Sequence, residues 1–141
     1  MRPKALLDTD TLSAIMKKHA IATARAKTYL FAQHRLTFSI ITRYEILRGL
    51  KAKHATTQLA QFEQLCQVSE ILPLTDAMIV RAADVYADLK QRGTLIHDAD
   101  ILIAATAMIQ GFALVTNNEA HFSRISGLQI ENWINATATQ G

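Results

Sequence analysis

The stretch "DADILIAATAMIQGFALVT" (residues 98–116) sets the architecture of this chain. After Asp100 it is almost wholly apolar as far as Gly111, which leaves no polar stripe to meet water, and a helix apolar on all sides is a central one. Gly111 supplies the helix stop. "FALVT" then reads as a short buried strand. A buried helix running straight into a buried strand is half of a βα repeat, and the same alternation extends in both directions.

Toward the N-terminus, "KALLD" (residues 4–8) reads as a strand stopping at Asp8, followed by helices in "TLSAIMKK" and "IATARAKTYLFAQH". "LTFSI" (36–40) is a second strand, with helices in "TRYEILRGLKAK" and "TTQLAQFEQLCQV". "SEILPL" (69–74) is a third strand halted by Pro73, and "TDAMIVRAADVYADLKQRG" is an amphipathic helix ended by Gly93. "LQIENW" (128–133) supplies a fifth strand. Short apolar strands alternating with helices predict an α/β fold: a mainly parallel sheet of about five short strands with helices on both faces.

With 141 residues, 50% of them hydrophobic and 19% charged, the chain reads as one soluble domain over residues 1–134 with a short polar tail at 135–141. No apolar run approaches the roughly 18–20 residues of a membrane span. The N-terminus carries no signal-peptide pattern, and a single cysteine, Cys66, excludes an intrachain disulfide and reads as a small buried apolar side chain. These features predict a cytoplasmic protein. The net charge of +3 is permissive for nucleic acid. Arg43, Arg48 and Lys51, in "RYEILRGLKAKH", are candidates for phosphate contacts, although they do not fall on one helical stripe.

In parallel sheets ligands bind beyond the carboxyl ends of the strands, so the residues just after each strand matter most. Asp8 and Asp10 follow the first strand. Glu45 lies one helical turn past the second. Asn117, Asn118 and Glu119 follow the fourth, and Asp98 and Asp100 precede the apolar helix. Capping explains each of them singly: "TRYE" (42–45) and "TNNE" (116–119) fit the capping box, and Asp10 and Asp98 are placed as N-caps. Together at one sheet edge they become a repelling cluster that a cation would hold, and hard oxygen ligands select Mg²⁺ or Mn²⁺. Asp100 is the acid that capping leaves over.

"LLDTDTLS", "TRYEILRGL", "GTLIHDADILIAATAMIQG", "LVTNNEAHFSRISGL" and "IENW" occur in this order, and over residues 6–133 the chain resembles PIN-domain ribonucleases of the VapC type, the toxin half of VapBC toxin–antitoxin pairs. The resemblance implies a PIN-like fold and a metal-dependent endoribonuclease. Asp8 and Asp100 match metal-binding acids, and Glu45 matches the glutamate that holds or orients water. The fourth acidic position falls on Asn118, with Asn117 beside it. That amide removes one negative charge and puts a second metal ion in doubt. Asp98 or Glu119 could substitute, and Asp10 stands where the family often has asparagine, in a capping or supporting place.

Thr9, Ser39 and Thr116 read as supports for the carboxylates, and His97 and His121 as local hydrogen-bonding groups. The resemblance further implies an RNA substrate (tRNA or another structured RNA), a small VapB-type antitoxin and a homodimer. "AKTYLFAQ" and "LAQFEQLC" are candidates for those surfaces, and equally for core.

Two other readings compete. "DTDT" is similar to the paired aspartates of haloacid-dehalogenase phosphatases, with Asp8 as nucleophile and Asp10 as acid/base. That motif wants Thr or Val where Leu12 stands, and no matching lysine motif follows. The other is a catalytically inactive PIN-like module that binds RNA or protein. Such a module needs no divalent ion.

Overall fold

In the computed structural model, which describes residues 3–135, five parallel strands form one sheet in the order β3-β2-β1-β4-β5. The strands are β1 (Ala5–Leu7), β2 (Thr37–Ser39), β3 (Glu70–Leu72), β4 (Ala113–Val115) and β5 (Ile130–Glu131). Helices α1 (Thr9–Met16) and α2 (Ala20–Gln33) join β1 to β2, and α3 (Ile40–Ala52) and α4 (Thr56–Gln67) join β2 to β3. Helices α5 (Asp76–Gln91) and α6 (Asp98–Gln110) lead to β4, and a single turn, α7 (Glu119–Phe122), precedes β5. The chain therefore builds outward from β1 to β2 and β3, then crosses back to add β4 and β5 on the other side. The point of reversal lies between β1 and β4.

Alternation along each strand assigns the two faces. Leu6 and Leu114 pack with Ala82, Val85 and Leu89 of α5 and with the apolar side chains of α6. Ala5, Leu7, Phe38 and Val115 pack on the opposite face with Leu12, Tyr29, Ile46, Phe62 and Trp133. Burial of Ile101, Ile103, Ala104, Ala105 and Ala107 makes α6 the central helix that its composition predicts. Its C-cap, Gly111, has φ +71°, a left-handed conformation that a Cβ disfavours. Gly93 stands one residue past the cap of α5 at φ +68°, where Thr94 N–H closes back on Leu89 O at 2.9 Å.

Tyr29 and Trp133 are both core, with ring centroids 5.4 Å apart. Tyr29 Oη accepts from Ala5 N at 3.0 Å, so α2 supplies a partner that the first residue of β1 would otherwise lack. Phe62 is buried as well, so the aromatic residues of "LAQFEQLC" and Tyr29 of "AKTYLFAQ" are core, whereas Phe31 is 89% exposed. Cys66 is partly buried against the core, and its Sγ lies 3.1 Å from an Arg43 guanidinium nitrogen, so its reading as a small buried apolar side chain holds only in part. The polar tail beyond Asn135 lies outside the described residues.

Replacing Tyr29 by Phe keeps the ring packing and removes the acceptor for Ala5 N–H. Urea denaturation of the Tyr29→Phe protein is expected to show a loss of about 1–3 kcal/mol, the cost of an unsatisfied buried donor.

Candidate active site

Asp8 directly follows β1, Thr116 directly follows β4 and Ser39 ends β2, so three strand ends deliver side chains to one edge of the sheet at its point of reversal. Asp8 is 4% exposed. Its Oδ1 accepts from Thr9 N at 2.8 Å, which makes Asp8, and not Asp10, the N-cap of α1. Its Oδ2 accepts from Thr116 Oγ1 at 2.8 Å. Asp10 sits in the first turn, where its Oδ2 accepts from Asn117 N at 3.0 Å and ties the loop after β4 to α1.

The capping boxes read from the sequence are not formed. Ser39 caps α3 by accepting from Thr42 N at 3.1 Å, because β2 passes into the helix without a loop and the helix begins before Thr42. Asn118 and His97 occupy the N-cap positions of α7 and α6 without side-chain capping bonds. Thr116 is thereby free to turn its hydroxyl proton onto Asp8 while accepting from Asn118 N at 3.0 Å.

Glu45 lies on the second turn of α3, and its Oε1 accepts from Thr9 Oγ1 at 2.6 Å, a bond between α1 and α3. A shallow cavity of about 360 Å³ is lined by Asp8, Thr9, Asp10, Glu45, Arg48, Asp100 and Asn118. Four carboxylates thus face one guanidinium. The cavity brings together Asp8, Glu45, Asp100 and Asn118, and it adds Asp10, whose charge the sequence reading had set aside. Asp10, held by the Thr116 hydroxyl and the Asn117 backbone beside Asn118, brings a further negative charge to the cavity.

Other candidates point elsewhere. Asp98 is exposed and borders a groove between α5 and α6, so it neither caps α6 nor reaches the cavity. Glu119 is held by Asn132 Nδ2 at 2.7 Å, and the same amide donates to Asn117 Oδ1 at 3.1 Å. Asn132, buried just after β5, lies in the "IENW" motif but is not among the candidate site residues of the sequence, yet it anchors the loop that carries Asn117 and Asn118. Asn118 Nδ2 lies 2.9 Å from His121 Nδ1. Of the three basic residues of α3, Arg48 alone lines the cavity. Arg43 is held by Glu63 at 2.7 Å on the α4 side, and the charge of exposed Lys51 is felt there too.

The electrostatics follow from burial and crowding. The Asp8 carboxyl is pushed up to about 7, first by burial and next by the Asp10 carboxylate, against the pull of its bonds from Thr116 and Thr9. Asp100 is raised as well, by burial and then by Glu45, with His97 and His121 opposing. Among the described residues no three of these groups close on a single point as a ready-made cage. The rim is open, but its donor chemistry (hard carboxylate oxygens with too little countercharge) fits a hard divalent cation.

The PIN domain family model matches residues 5–128. The chain belongs to the PIN-domain family. Within it the similarity is to VapC ribonucleases. Ribonuclease VapC1 of Methanocaldococcus jannaschii is 34% identical over 129 residues, covering 90% of this chain and 86% of that protein. The tRNA(fMet)-specific endonuclease VapC of Salmonella typhimurium is 32% identical over 100 residues, 70% of this chain and 76% of the relative. Among solved structures, DNA-bound VapBC from Salmonella typhimurium superposes with a TM-score of 0.83 at 28% identity, covering 94% of this chain and 99% of the matched chain. The chain is a VapC-type PIN ribonuclease, and its five-stranded parallel sheet with helices on both faces is the PIN-like α/β fold. Among the described residues of this PIN domain no helix is long and apolar enough to cross a membrane.

A carboxyl whose pKa is raised on folding favours the protonated folded state. Its contribution is therefore full below the unfolded value near 4 and is lost as pH rises through about 7. In EDTA the melting temperature of the PIN domain is expected to fall between pH 5 and pH 8, and Asp8→Asn is expected to flatten that fall. An equal fall in both proteins would contradict the buried, crowded state of Asp8.

Proposed function

We propose that this VapC-type chain is a Mg²⁺-dependent endoribonuclease toxin, with Mn²⁺ as a possible substitute ion. Its substrate is a structured RNA, with tRNA the first class to test, and a VapB-type antitoxin neutralises it. The convergence of Asp8, Asp10, Glu45 and Asp100 on one cavity carries this reading. A purely structural rim has no use for four carboxylates crowded into one cavity, where burial and neighbouring charge raise Asp8 and Asp100, whereas a site for a hard cation requires them. The Salmonella relative named as a tRNA(fMet)-specific endonuclease supports tRNA as substrate. The solved VapBC complexes support an antitoxin partner. The toxin is read as a homodimer that acts in the cytoplasm, where RNA is met.

In this mechanism Asp8 and Asp100 would hold the ion directly and Glu45 would hold it through water. When bound, the ion supplies Lewis acidity at the phosphate and countercharge for the carboxylates. Thr116 donates its hydroxyl proton to Asp8 Oδ2 and Thr9 to Glu45 Oε1, and so each holds its carboxylate in orientation. Glu45 orients the attacking water, and the Asn118 amide positions a water or a phosphate oxygen. Asp10 holds the Asn117 backbone and adds negative charge to the cavity.

The test is incubation of the antitoxin-free protein with total RNA in Mg²⁺, Mn²⁺ or EDTA, followed by sequencing of the new ends. Discrete cleavage that needs the ion and disappears in Asp8→Asn and Asp100→Asn is the expected result. Thr116→Val, which leaves every carboxylate in place, is expected to lose about 10–100-fold in activity or metal affinity, as removal of a ligand's hydrogen-bond partner does. A folded protein that binds RNA, ignores both ions in calorimetry and cuts nothing would instead be the inactive binding module.

A further inference from the structure

Helix α3 carries a second feature beside the carboxylates. Tyr44 precedes Glu45 and is 58% exposed. One turn on, the Arg48 guanidinium carbon lies 5.1 Å from the centroid of the Tyr44 ring, while one of its nitrogens lies 3.7 Å from Glu45 Oε2. The helix dictates this arrangement: residues 44 and 48 stack one above the other, and residue 45 projects about 100° around the axis. The guanidinium thus occupies the border between an aromatic face and the acidic cavity that it lines.

An exposed tyrosine alone needs no explanation. The state of its neighbour does. Arg43 spends its guanidinium on Glu63 through bonds of 2.7 and 3.3 Å, and Arg92 is likewise committed to Asp88. Among the described residues the Arg48 guanidinium makes no hydrogen bond. It is held only by the Tyr44 ring and a long, exposed pair with Glu45, and contacts of that kind hold a side chain in place weakly. A planar fork with open donors, lying over an aromatic ring at the mouth of a phosphate-cleaving site, matches what single-stranded RNA offers. RNA presents a base face for stacking and an adjoining phosphate for a bidentate donor.

We propose that Tyr44 and Arg48 form a subsite for an unpaired nucleobase beside the scissile phosphate, with the base resting on the Tyr44–Arg48 stack and the guanidinium reaching the adjoining phosphate. This subsite rests on the ribonuclease reading above. It selects RNA whose cleavage point lies in a loop or other unstacked stretch, because a base paired in a helix cannot present its face.

Equilibrium binding of a short single-stranded RNA carrying 2-aminopurine at successive positions tests this, with Asp8→Asn as the uncut parent. Quenching at one position is expected in the parent. Tyr44→Ala is expected to abolish that quenching and weaken binding about tenfold, the effect of losing one stacked base. Tyr44→Phe keeps the ring and is expected to recover both. Arg48→Ala is expected to lower the salt dependence by about one phosphate contact. A Tyr44→Ala protein that binds and quenches like its parent overturns the subsite, and a change in its sedimentation instead would assign this face to protein contact. Cleavage of total RNA by the protein with Asp8 intact is scored in parallel. Intact cleavage with no Tyr44 effect sinks the subsite alone, while no cleavage with either ion sinks the ribonuclease reading and the subsite with it.

Discussion

A buried carboxylate at the end of the central strand is the constraint on which this molecule turns. Asp8 leaves β1 with its side chain almost entirely out of water, and two donors, Thr9 N and the Thr116 hydroxyl, hold it there. Neither donor carries a charge, so the negative charge is oriented without being neutralised. Burial of an ion without a counterion is costly. The cost is expressed in the raised pKa of Asp8, and Asp100 in the same crowded cavity is raised by its own burial and by Glu45.

The scaffold exists to hold that arrangement still. Asp8 and Thr116 end neighbouring strands, and Asp8 N–H also donates to Val115 O at 2.9 Å, so the two side chains meet at a fixed register. Glu45 comes from a helix that starts at the end of the next strand over, and the Thr9–Glu45 bond ties that helix to α1. On the other flank Asn132 holds the loop bearing Asn117 and Asn118. The acids of the rim are thus set by a strand end or by the first two turns of a helix, on rigid elements of the fold.

The rim also divides its two kinds of charge. Acids face inward from α1, α3 and α6, while the bases of α3 split, Arg43 toward α4 and Arg48 toward the cavity. A VapC-type site must admit a polyanion to a cluster of anions. One guanidinium at the entrance, that of Arg48, meets part of this electrostatic demand.

The strands and the central helix were legible in the sequence because burial on both faces leaves an unbroken apolar run, as in "ALL", "ALV" and "ILIAATAMI". Family motifs along the chain brought Asp8, Glu45 and Asp100 to notice. What the sequence could not settle was direction. Asp98 and Asp100 lie about 200° apart around α6, so one faces the cavity and the other the α5–α6 groove, and only packing chooses between them. Asp10 was set aside as a support, although its distant partner, the Asn117 backbone, brings its charge into the cleft. The capping boxes failed because β2 runs into α3 without a loop, so the helix starts at Ile40 and Ser39 takes the cap. Helix α7 is a single turn, too short to show a period. The sequence by itself determined which segments are buried and which residue types are gathered near the sheet edge, since both depend on neighbours along the chain. Tertiary structure alone decided which carboxylates share one cavity, because that depends on where strands 1 and 4, more than a hundred residues apart, place their ends.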